Sequence, residues 1–391
     1  MIPHALALAV EAATTALTVA GMGYLAAAWL AARLFLRERH RPAPAFAPRV
    51  SILKSLKGLD PGMLEAFRTH CRQQYAGEFE LLFGVSSMDD PAVAAVLELE
   101  REFPERAIRL IECPLKLGAN GKVGTLTQLV PHARYEFLLI NDSDITVSPR
   151  YLERILSGFA QLPATPPVGL VTALYRGRAH DTLPSRLEAL GIATDFQASV
   201  LLAKLVERGL RYGLGSTLAV RREALDAVGG FAALADQLAD DYELGARIAR
   251  AGYRVVLSTE VVETAVPPYD WRGFVDHQLR WLRTVRDARP GGYAGLIFTH
   301  ALGWALANLI ASGLSPLSVW LFGLVFFLRL TVAMTAGAAV LGDRQVLPNL
   351  GLLPLRDLIG MGLWAAGFAG NVVVWRGERF VVRSGRLSRV D

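Results

Sequence analysis

The sequence is poor in cysteine and lacks the short motifs that mark several common enzyme classes. Its two cysteines, Cys71 and Cys113, do not have metal-ligand spacing, and its seven histidines are scattered, so no zinc site can be read from it. Cysteines in a cytosolic domain are expected to be reduced. The absence of a Walker loop, of G-x-G-x-x-G and of G-x-S-x-G leaves a P-loop, a dinucleotide-binding site and a serine hydrolase site without support.

Charge is also missing from long stretches near both ends of the chain. Residues 12–32 and 358–375 contain no Asp, Glu, Lys or Arg, and neither do the 39 residues of 290–328. Roughly 20 apolar residues are enough for a helix to cross a bilayer. We therefore expect an N-terminal membrane anchor within residues 1–36 and two or three membrane helices within residues 290–375.

A cleaved signal peptide is the alternative interpretation of the first apolar run. The run follows Glu11 rather than basic residues, and an arginine cluster follows it instead of a small-residue cleavage site. The cluster comprises Arg33, Arg37, Arg39 and Arg41. Because basic residues flank membrane helices on the cytoplasmic side, we expect an uncleaved anchor in the inner (cytoplasmic) membrane, a multi-pass chain, and a catalytic domain that faces the cytoplasm.

The C-terminal region conflicts with this orientation rule. Three full spans after a cytoplasmic domain would leave residues 376–391, a tail with five arginines, outside the cell. Either the rule fails or one segment lies in the membrane interface, and residues 290–315 are our candidate for a shallow or re-entrant segment. The net charge of +5 is explained by arginines beside the spans, which suit anionic lipids. We expect no nucleic-acid partner.

Between the apolar ends, residues 48–289 alternate strand-like and helix-like runs. The strand-like runs are residues 50–53, 80–85, 108–112, 136–140 and 168–174, and the helix-like runs are residues 61–74, 91–103, 123–129 and 149–159. This alternation predicts an α/β domain with a largely parallel sheet. Ligands bind at the carboxyl ends of the strands in such sheets, so polar residues that follow strands are the functional candidates.

The strongest candidate is a D-x-D pair, Asp142 and Asp144, directly after the apolar run 137–140. Two carboxylates one residue apart can ligate one hard cation such as Mg²⁺ or Mn²⁺. A bound cation of this kind can neutralise a diphosphate leaving group. The alternative is a solvated turn or a helix cap, and the position after a buried strand favours the metal site.

Two further acidic pairs have both structural and functional interpretations. Asp90 precedes Pro91, where it could cap a helix or could bind the base or ribose of a nucleotide at a strand end. Asp240 and Glu243 fit a capping box. That motif leaves Asp241 in the first turn of its helix, where a carboxylate could act as general base toward an acceptor hydroxyl.

Basic and aromatic residues complete the set. Helical spacing places His277, Arg280 and Trp281 on one face, where they could bind phosphates, although the helix could instead rest on the bilayer. Lys122 precedes a helix and could contact a phosphate, with a surface lysine as the simpler interpretation. Residues 213–216, Gly-Leu-Gly-Ser, precede a strand, and their glycines would permit close approach of substrate.

The order of these motifs resembles the ceramide glucosyltransferase family of inverting GT-A-fold enzymes. The closest similarity is to its bacterial members, which include the hopanoid-biosynthesis-associated glycosyltransferases, and it covers about residues 50–289. The motifs are Asp90, Asp142-Ser143-Asp144, Asp240-Asp241-Tyr242 and Arg280-Trp281. The resemblance implies a Rossmann-like nucleotide-sugar-binding domain of GT-A type with transmembrane helices, a UDP-sugar donor, a lipid acceptor and Mg²⁺ or Mn²⁺ as cofactor.

The resemblance also implies a role for each matching residue. The implied roles are nucleotide contact for Asp90, metal and diphosphate binding for Asp142 and Asp144, proton abstraction for Asp241, and donor binding for His277, Arg280 and Trp281. His277 departs from the Gln or Arg that is usual at its position. The complete D-S-D, where the eukaryotic enzymes resemble D-S-G, leaves ceramide and a phospholipid head group both open as acceptors, and glucose and N-acetylglucosamine both open as the sugar.

Three other functions use parts of the same pattern. A polyprenyl-phosphate glycosyltransferase would share the donor site but would need no general base. A processive polysaccharide synthase would need more membrane spans for its channel. A catalytically silent membrane protein that binds nucleotide sugars would not need the full acidic set.

Overall fold

The structure, a computed structural model, describes residues 4–40, 44–160, 165–375, 378–383 and 385–389. Arg41 and Arg376 lie outside these residues. The chain divides into two compact units. The helical unit comprises residues 1–39, 179–205 and 268–377, and the sheet unit comprises residues 40–178, 206–267 and 378–391.

A seven-stranded sheet forms the centre of the sheet unit. Its strands are β1 (Val50–Ser55), β2 (Phe79–Val85), β3 (Ala107–Glu112), β4 (Phe137–Ile140), β5 (Val168–Arg178), β6 (Leu218–Arg221) and β7 (Arg254–Ala265). Their order is β3-β2-β1-β4-β6-β5-β7, and β6 is antiparallel to both of its neighbours while the other pairs are parallel. The predicted α/β fold with a largely parallel sheet is confirmed.

Buried apolar strands and the helices beside them form the core of this unit. The helices are α2 (Met63–Cys71), α3 (Ala92–Glu102), α4 (Gly121–Leu129), α5 (Tyr151–Leu156), α8 (Arg222–Asp226) and α9 (Asp240–Arg250). Ile52, Phe83 and Leu139 are fully buried in one cluster with Phe67 of α2. Because β4 is buried along its whole length, the polar residues that follow it are held at a rigid sheet edge.

The helical unit contains the apolar helices. They are α1 (His4–Arg39), α6 (Leu183–Gly191), α7 (Gln197–Val206), α10 (Trp271–Ala288), α11 (Pro290–Gly295), α12 (Ala301–Ala311), α13 (Pro316–Val332) and α14 (Leu353–Gly367). A π-helical turn joins α6 to α7, and another extends α13 to Val340. A short strand, β8 (Val372–Trp375), follows α14.

Three helices in the described residues are long and apolar enough to cross a membrane. They are His4–Arg39, Leu183–Val206 and Pro316–Val340. Pro290–Thr299 and Ala301–Ala311 form a fourth candidate only as a pair bent by 55°, consistent with either a broken span or a re-entrant loop. The apolar helix over residues 183–206 was not anticipated from the sequence, in which Asp195 and Lys204 interrupt the apolar pattern.

Helix α12 packs against α1 in the opposite direction. The Thr15 hydroxyl of α1 donates to Asn308 Oδ1 at 2.8 Å, whereas Gly21, further along α1, lies against Ala301 at the other end of α12. A Cβ at Gly21 would come within 2.6 Å of the Ala301 Cβ, so glycine is needed for this close approach. Helix α12 therefore runs antiparallel to the N-terminal helix.

The last described residues form strands rather than an extended tail. Strand β9 (Glu378–Arg383) and strand β10 (Arg386–Arg389) pair as an antiparallel hairpin, with Gly385 at φ +78° in the turn. Phe380, Val382 and Leu387 are buried. This C-terminal hairpin belongs to the sheet unit although helices of the other unit precede it in the chain.

Candidate active site

The D-x-D pair lies at the carboxyl end of β4, beside the carboxyl end of β1. Asp142 is partly exposed, and its Oδ1 accepts from Lys122 Nζ at 2.6 Å. Its backbone carbonyl accepts from Lys54 Nζ of β1 at 3.1 Å. Burial lowers the pKa of Lys54 to about 7, with the charges of Asp142 and Asp144 acting in the opposite direction. Two lysines therefore hold both the backbone and the side chain of Asp142.

Asp144 is held by the end of strand β7. Its Oδ2 accepts from the Thr264 hydroxyl and from the Ala265 backbone N–H at 3.0 Å. Burial, followed by the charge of Asp142, raises the pKa of the Asp144 carboxyl. A nearby positive charge would relieve both effects.

These two aspartates suit a hard divalent cation by their chemistry. Carboxylate oxygens are preferred ligands of Mg²⁺ and Mn²⁺, and a cation would offset the repulsion that raises the pKa of Asp144. Among the residues that the structure describes, no group of three or more His, Cys, Asp or Glu is arranged to hold a metal. The remaining ligands would therefore have to come from a diphosphate or from water.

Helix α4 places Lys122 between the two acidic pairs. Asn120 caps the helix by accepting from the Val123 N–H at 3.2 Å, while its Nδ2 donates to Asp240 Oδ1 at 3.2 Å. Lys122 Nζ lies 3.9 Å from Asp240 Oδ2 as well as 2.6 Å from Asp142 Oδ1. Burial acts to lower the pKa of Lys122, but the surrounding carboxylates outweigh it and raise that pKa, so Lys122 is a fixed positive charge.

Asp240 and Asp241 begin helix α9, and the predicted capping box is wrong. The cap residue is Ala239, and the Asp240 carboxylate bonds the Asn120 side chain instead of its own helix. Burial and then the charge of Asp240 raise the pKa of Asp241 to about 6. A carboxylate with its pKa near neutrality can exchange a proton with a substrate hydroxyl.

The Gly-Leu-Gly-Ser turn contacts Asp241 directly. A Cβ at Gly215 would lie 2.8 Å from Asp241 Oδ2, and one at Gly213 would lie 2.8 Å from the Asp241 backbone oxygen. The sequence suggested that these glycines leave room for substrate. In the structure, Asp241 fills the space beside Gly215, and Leu218 together with the Asp241 backbone fills the space beside Gly213.

A buried polar network joins this turn to the end of β4. Asn141 Nδ2 donates to the Ser216 carbonyl and to the Tyr151 hydroxyl, both at 2.8 Å, and Asn141 Oδ1 lies 3.2 Å from His70 Nε2. Burial, followed by the charge of Lys54, lowers the pKa of His70 to about 3, so that its imidazole is neutral. Asn141 thus fixes the distance between the D-x-D pair and the turn over Asp241.

Asp90 accepts hydrogen bonds from two backbone N–H groups in this structure. Its carboxylate accepts from the Gly58 N–H at 2.9 Å and from the Ala92 N–H at 2.9 Å. The second bond satisfies a donor at the start of α3, as the capping interpretation required. The bond to Gly58 ties this loop to the loop after β1, and nucleotide contact by Asp90 stays a prediction.

His277, Arg280 and Trp281 lie in the helical unit, on α10. His277 Nδ1 lies 3.1 Å from Glu188 of α6, and its ring lies between those of Tyr269 and Trp281, at centroid distances of 5.3 and 5.1 Å. Their predicted spacing on one helix face agrees with the contact between the two rings. Their role in donor binding stays a prediction.

The C-terminal hairpin hydrogen-bonds to residues 236–238, the segment that precedes Asp240. Leu238 N–H donates to the Gly385 carbonyl at 3.0 Å, and Leu387 N–H donates to the Asp236 carbonyl at 2.8 Å. On the other side of this segment, Asn120 Nδ2 donates to the Gln237 carbonyl at 2.8 Å. Residues 236–238 are therefore held between the hairpin and the loop that leads to Lys122.

Comparison with known proteins decides the family. The model of "Glycosyl transferase family 21" matches residues 13–388, nearly the whole chain. The chain belongs to glycosyl transferase family 21. The family assignment agrees with the resemblance to ceramide glucosyltransferases that the order of motifs indicated.

Curated relatives of this family 21 chain include two ceramide glucosyltransferases of Caenorhabditis elegans. Ceramide glucosyltransferase 3 is 25% identical over 236 residues, which are 60% of this chain and 50% of the relative. Ceramide glucosyltransferase 1 is 25% identical over 224 residues, or 57% of this chain and 47% of the relative. The chain thus spans about half the length of the curated relatives it matches.

A solved structure supports the fold of this family 21 member. A mannosyltransferase from Pyrobaculum calidifontis, in complex with GDP-Man and Mn²⁺, superposes with a TM-score of 0.52 over 92% of this chain and 99% of that chain. At 21% sequence identity the likeness shows a shared fold. The predicted GT-A architecture is therefore confirmed.

Several residues of this family 21 site were missed by sequence reasoning. No role in the site was predicted for Lys54, although the phrase Ser51-Ile52-Leu53-Lys54 agrees with the family, and Asn120 was noted only as a neighbour of Lys122. Asn before a helix is a cap signal, but its bond to Asp240, 120 positions later, depends on the fold. Thr264 has no local signal of its contact with Asp144.

Proposed function

We propose that this chain is a membrane-bound, inverting glycosyltransferase. It transfers glucose or N-acetylglucosamine from a UDP-sugar to a membrane lipid, either ceramide or a phospholipid head group. The observation that carries the proposal is the joint placement of a raised-pKa carboxylate, Asp241, with the Lys122-bridged pair Asp142 and Asp240. Membership in family 21 and the relatives named ceramide glucosyltransferases support it.

The chemistry follows from the environment of each group. Asp241 accepts the proton of the acceptor hydroxyl as that oxygen attacks the anomeric carbon. The bond between the anomeric carbon and the diphosphate oxygen breaks on the opposite face, which inverts the configuration. Lys122 keeps its positive charge and can face the developing charge of the diphosphate.

Asp142 and Asp144 would hold the divalent cation. When bound, Mg²⁺ or Mn²⁺ supplies charge neutralisation for the leaving diphosphate. The role of this chain is to orient the two carboxylates, through Lys54 and Lys122 for Asp142 and through Thr264 for Asp144. The Mn²⁺ bound in the solved mannosyltransferase supports metal use by the shared fold.

We also propose a multi-pass location in the inner membrane with the sheet unit facing the cytoplasm. Strands β5, β6 and β7 hydrogen-bond in one sheet. The segment between β5 and β6, which contains the helix Leu183–Val206, therefore begins and ends on the same side of the membrane. The arginines at the end of α1 support a cytoplasmic sheet unit.

The experiment is sugar transfer to lipid by purified membranes. Radiolabelled UDP-glucose and UDP-N-acetylglucosamine are supplied separately, and the labelled lipid is extracted and identified. We expect one donor to label a lipid and the Asp241→Asn variant to bind UDP while losing transfer by about 10²–10⁴-fold. Retained turnover in Asp241→Asn would remove the base assignment, and label appearing only on a polyprenyl phosphate would favour the transferase that needs no base.

A further inference from the structure

The loop between β1 and α2 contacts the D-x-D segment through a carboxylate to which the proposed reaction gives no role. Asp60 lies in this loop, and its Oδ2 accepts a hydrogen bond from the hydroxyl of Ser143. Ser143 is the residue between Asp142 and Asp144. The contact joins two positions that are 83 residues apart in the chain, so it depends on the fold and has no local signal in the sequence.

The D-x-D segment is a tight turn with Ser143 in its middle. The Ile145 N–H donates to the Asp142 carbonyl at 3.4 Å, and this bond closes a turn of four residues. Ser143 and Asp144 are the two central residues. The backbone conformation of the central residues determines the course of the chain through a turn of this kind. The relative orientation of the two carboxylates therefore depends on what holds Ser143.

Burial makes the Ser143 hydroxyl dependent on an acceptor from the protein. Ser143 is only 4% exposed, so water has little access to it. A buried hydroxyl that loses its acceptor destabilises the conformation in which it is buried. A carboxylate is a stronger acceptor than a neutral oxygen. Asp60 therefore favours the turn conformation that directs the Ser143 side chain toward the loop after β1.

Other groups hold the two flanking aspartates. Lys54 and Lys122 donate to the backbone carbonyl and the side chain of Asp142, and Thr264 donates to Asp144. These contacts act on the first and third residues of the D-x-D sequence, whereas Asp60 acts on the second. Removal of the Asp60 carboxylate should therefore alter the orientation of one aspartate relative to the other.

The loop that contains Asp60 is anchored along its length. The Leu56 N–H donates to a carbonyl of β2 at 2.8 Å, and the Met63 N–H donates to the Asp60 carbonyl at 3.2 Å. Between them, the Gly58 N–H donates to both carboxylate oxygens of Asp90, at 2.9 and 3.1 Å. Gly58 has a φ of +70°, a conformation that favours glycine. These anchors give the Asp60 carboxylate a defined position.

We propose that Asp60 is a positioning residue that sets the metal affinity of the D-x-D pair. It acts through Ser143, because their hydrogen bond fixes the turn in the conformation that lets Asp142 and Asp144 ligate one divalent cation. Ligands that are already oriented bind a metal more tightly than ligands that must first be ordered. The inference rests on the proposed function, which assigns the cation to these two carboxylates, and it adds a residue from outside the acidic motifs.

The test measures Mn²⁺ binding by the purified full chain in the presence of UDP. Free Mn²⁺ is followed by electron paramagnetic resonance, and a sample with UDP and no protein is subtracted. Groups that orient metal ligands contribute about 10–100-fold to metal affinity, so Asp60→Ala and Ser143→Ala should each weaken Mn²⁺ binding by about tenfold. The double variant should bind no more weakly than the single variants, since both changes remove the same contact.

Asp60→Asn and Asp89→Ala are the matched controls. Asn keeps an oxygen that can accept from Ser143, so Mn²⁺ affinity should stay within about threefold of the wild type. Asp89 is exposed and follows β2, the strand next to β1. Asp89→Ala should leave Mn²⁺ binding unchanged. Thermal unfolding of each variant without metal establishes that it is folded.

A transfer assay separates positioning of the turn from a general loss of structure. In Asp60→Ala, the Mn²⁺ concentration at half-maximal rate should rise about tenfold. The kcat at saturating Mn²⁺ should stay near the wild-type value, because the bound cation itself restores the turn. A loss of kcat that saturating Mn²⁺ does not restore would overturn the proposal and assign Asp60 to the fold.

Two binding results would also overturn the proposal. Equal Mn²⁺ affinity in the wild type and Asp60→Ala would show that the turn does not need this contact. An additive loss of about a hundredfold in the double variant would show that Asp60 does not act through Ser143.

Failure of this inference is distinguishable from failure of the proposed function. A wild-type chain that binds Mn²⁺ as tightly as its Asp60→Ala variant loses only this inference. A wild-type chain that binds no Mn²⁺ in the presence of UDP contradicts the metal site of the proposed function, and the role of Asp60 with it. A chain that shows the expected binding but transfers no sugar loses only the proposed function.

Discussion

The two acidic pairs of the sheet unit have the same side chains in different surroundings. Asp142 and Asp144 follow a buried strand, and their oxygens receive donors from lysine side chains, a hydroxyl and a backbone N–H. Asp240 and Asp241 begin a helix, where burial and mutual repulsion raise the pKa of Asp241 to about 6. The first pair is suited to hold a cation and the second to accept a proton.

Lys122 connects the two pairs and explains why they differ. Lys122 Nζ lies 2.6 Å from Asp142 Oδ1 and 3.9 Å from Asp240 Oδ2, so its positive charge acts more strongly on Asp142 than on Asp240. Asp241 receives less of this compensation, because burial and Asp240 outweigh Lys122 among the causes of its pKa shift. The two acidic pairs look alike in the sequence, but the position of the Lys122 ammonium group gives their carboxylates different pKa values.

The largest expected effect is on the D-x-D pair. The Asp142→Asn, Asp144→Asn double variant should lose transfer by about 10³-fold, because the charge that opposes the leaving diphosphate can no longer be held. EDTA should abolish wild-type activity, and added Mn²⁺ or Mg²⁺ should restore it.

Exposed Asp89 provides the control, since Asp89→Asn should leave transfer unchanged. Metal titration of transfer sharpens the comparison: Asp241→Asn should lower the rate without changing the metal concentration at half-maximal rate. Full wild-type activity in EDTA would contradict the assignment of the first pair.

A smaller effect is expected from removal of the C-terminal hairpin. Deleting residues 378–391 frees the segment 236–238 that precedes the second pair, and a displacement of about 1 Å there can lower the rate by about 10²-fold. The measurement is kcat and donor KM per amount of membrane-inserted protein. Ser388→Ala, at an exposed position of β10, should behave as wild type. Normal kinetics after deletion would show that the hairpin does not position the site.

Gly215→Ala should disturb the second pair alone. The added Cβ would lie 2.8 Å from Asp241 Oδ2, and moving that carboxylate should lower kcat by about tenfold with little change in donor KM. Gly121→Ala is the control, because a Cβ there meets nothing within 4 Å. An unchanged kcat in Gly215→Ala would mean that the Asp241 carboxylate tolerates displacement.

The smallest expected effect is on the pH profile. A base must be deprotonated, so the rate should rise with pH and reach half its plateau near pH 6, the pKa of Asp241. Asp240→Asn removes a negative charge that raises this pKa, so the midpoint should move to lower pH. A pH titration of kcat/KM in both proteins measures the shift, and a midpoint that moves upward would contradict the stated coupling.

The sequence predicted the first pair better than the second. A continuous apolar run that ends in D-x-D is a local signal for β4 and for the acidic loop after this strand, and the structure agrees. The capping box at Asp240 was also a local inference, but Asn120, far away in the chain, binds that carboxylate instead. Contacts between distant segments have no local sequence signal, which is why Lys54 and Thr264 were also missed.

The C-terminal hairpin shows a different reason for an incomplete prediction. Its arginines dominate the composition of residues 376–391, so the segment looked like a basic tail. The apolar run Phe380-Val381-Val382 was a signal for a strand, but a run of three residues is short enough to overlook. The apolar helix over residues 183–206 was missed because isolated charged residues interrupt it.

The contribution of β9 and β10 to the sheet unit has a consequence for biosynthesis. A ribosome must make every helix from α10 to α14 before the residues that complete the sheet unit can emerge. Synthesis of these helices therefore precedes the final closure of the segment beside Asp240. A nascent chain that stalls earlier would carry all of its predicted acidic residues and still lack the contacts that hold them in place.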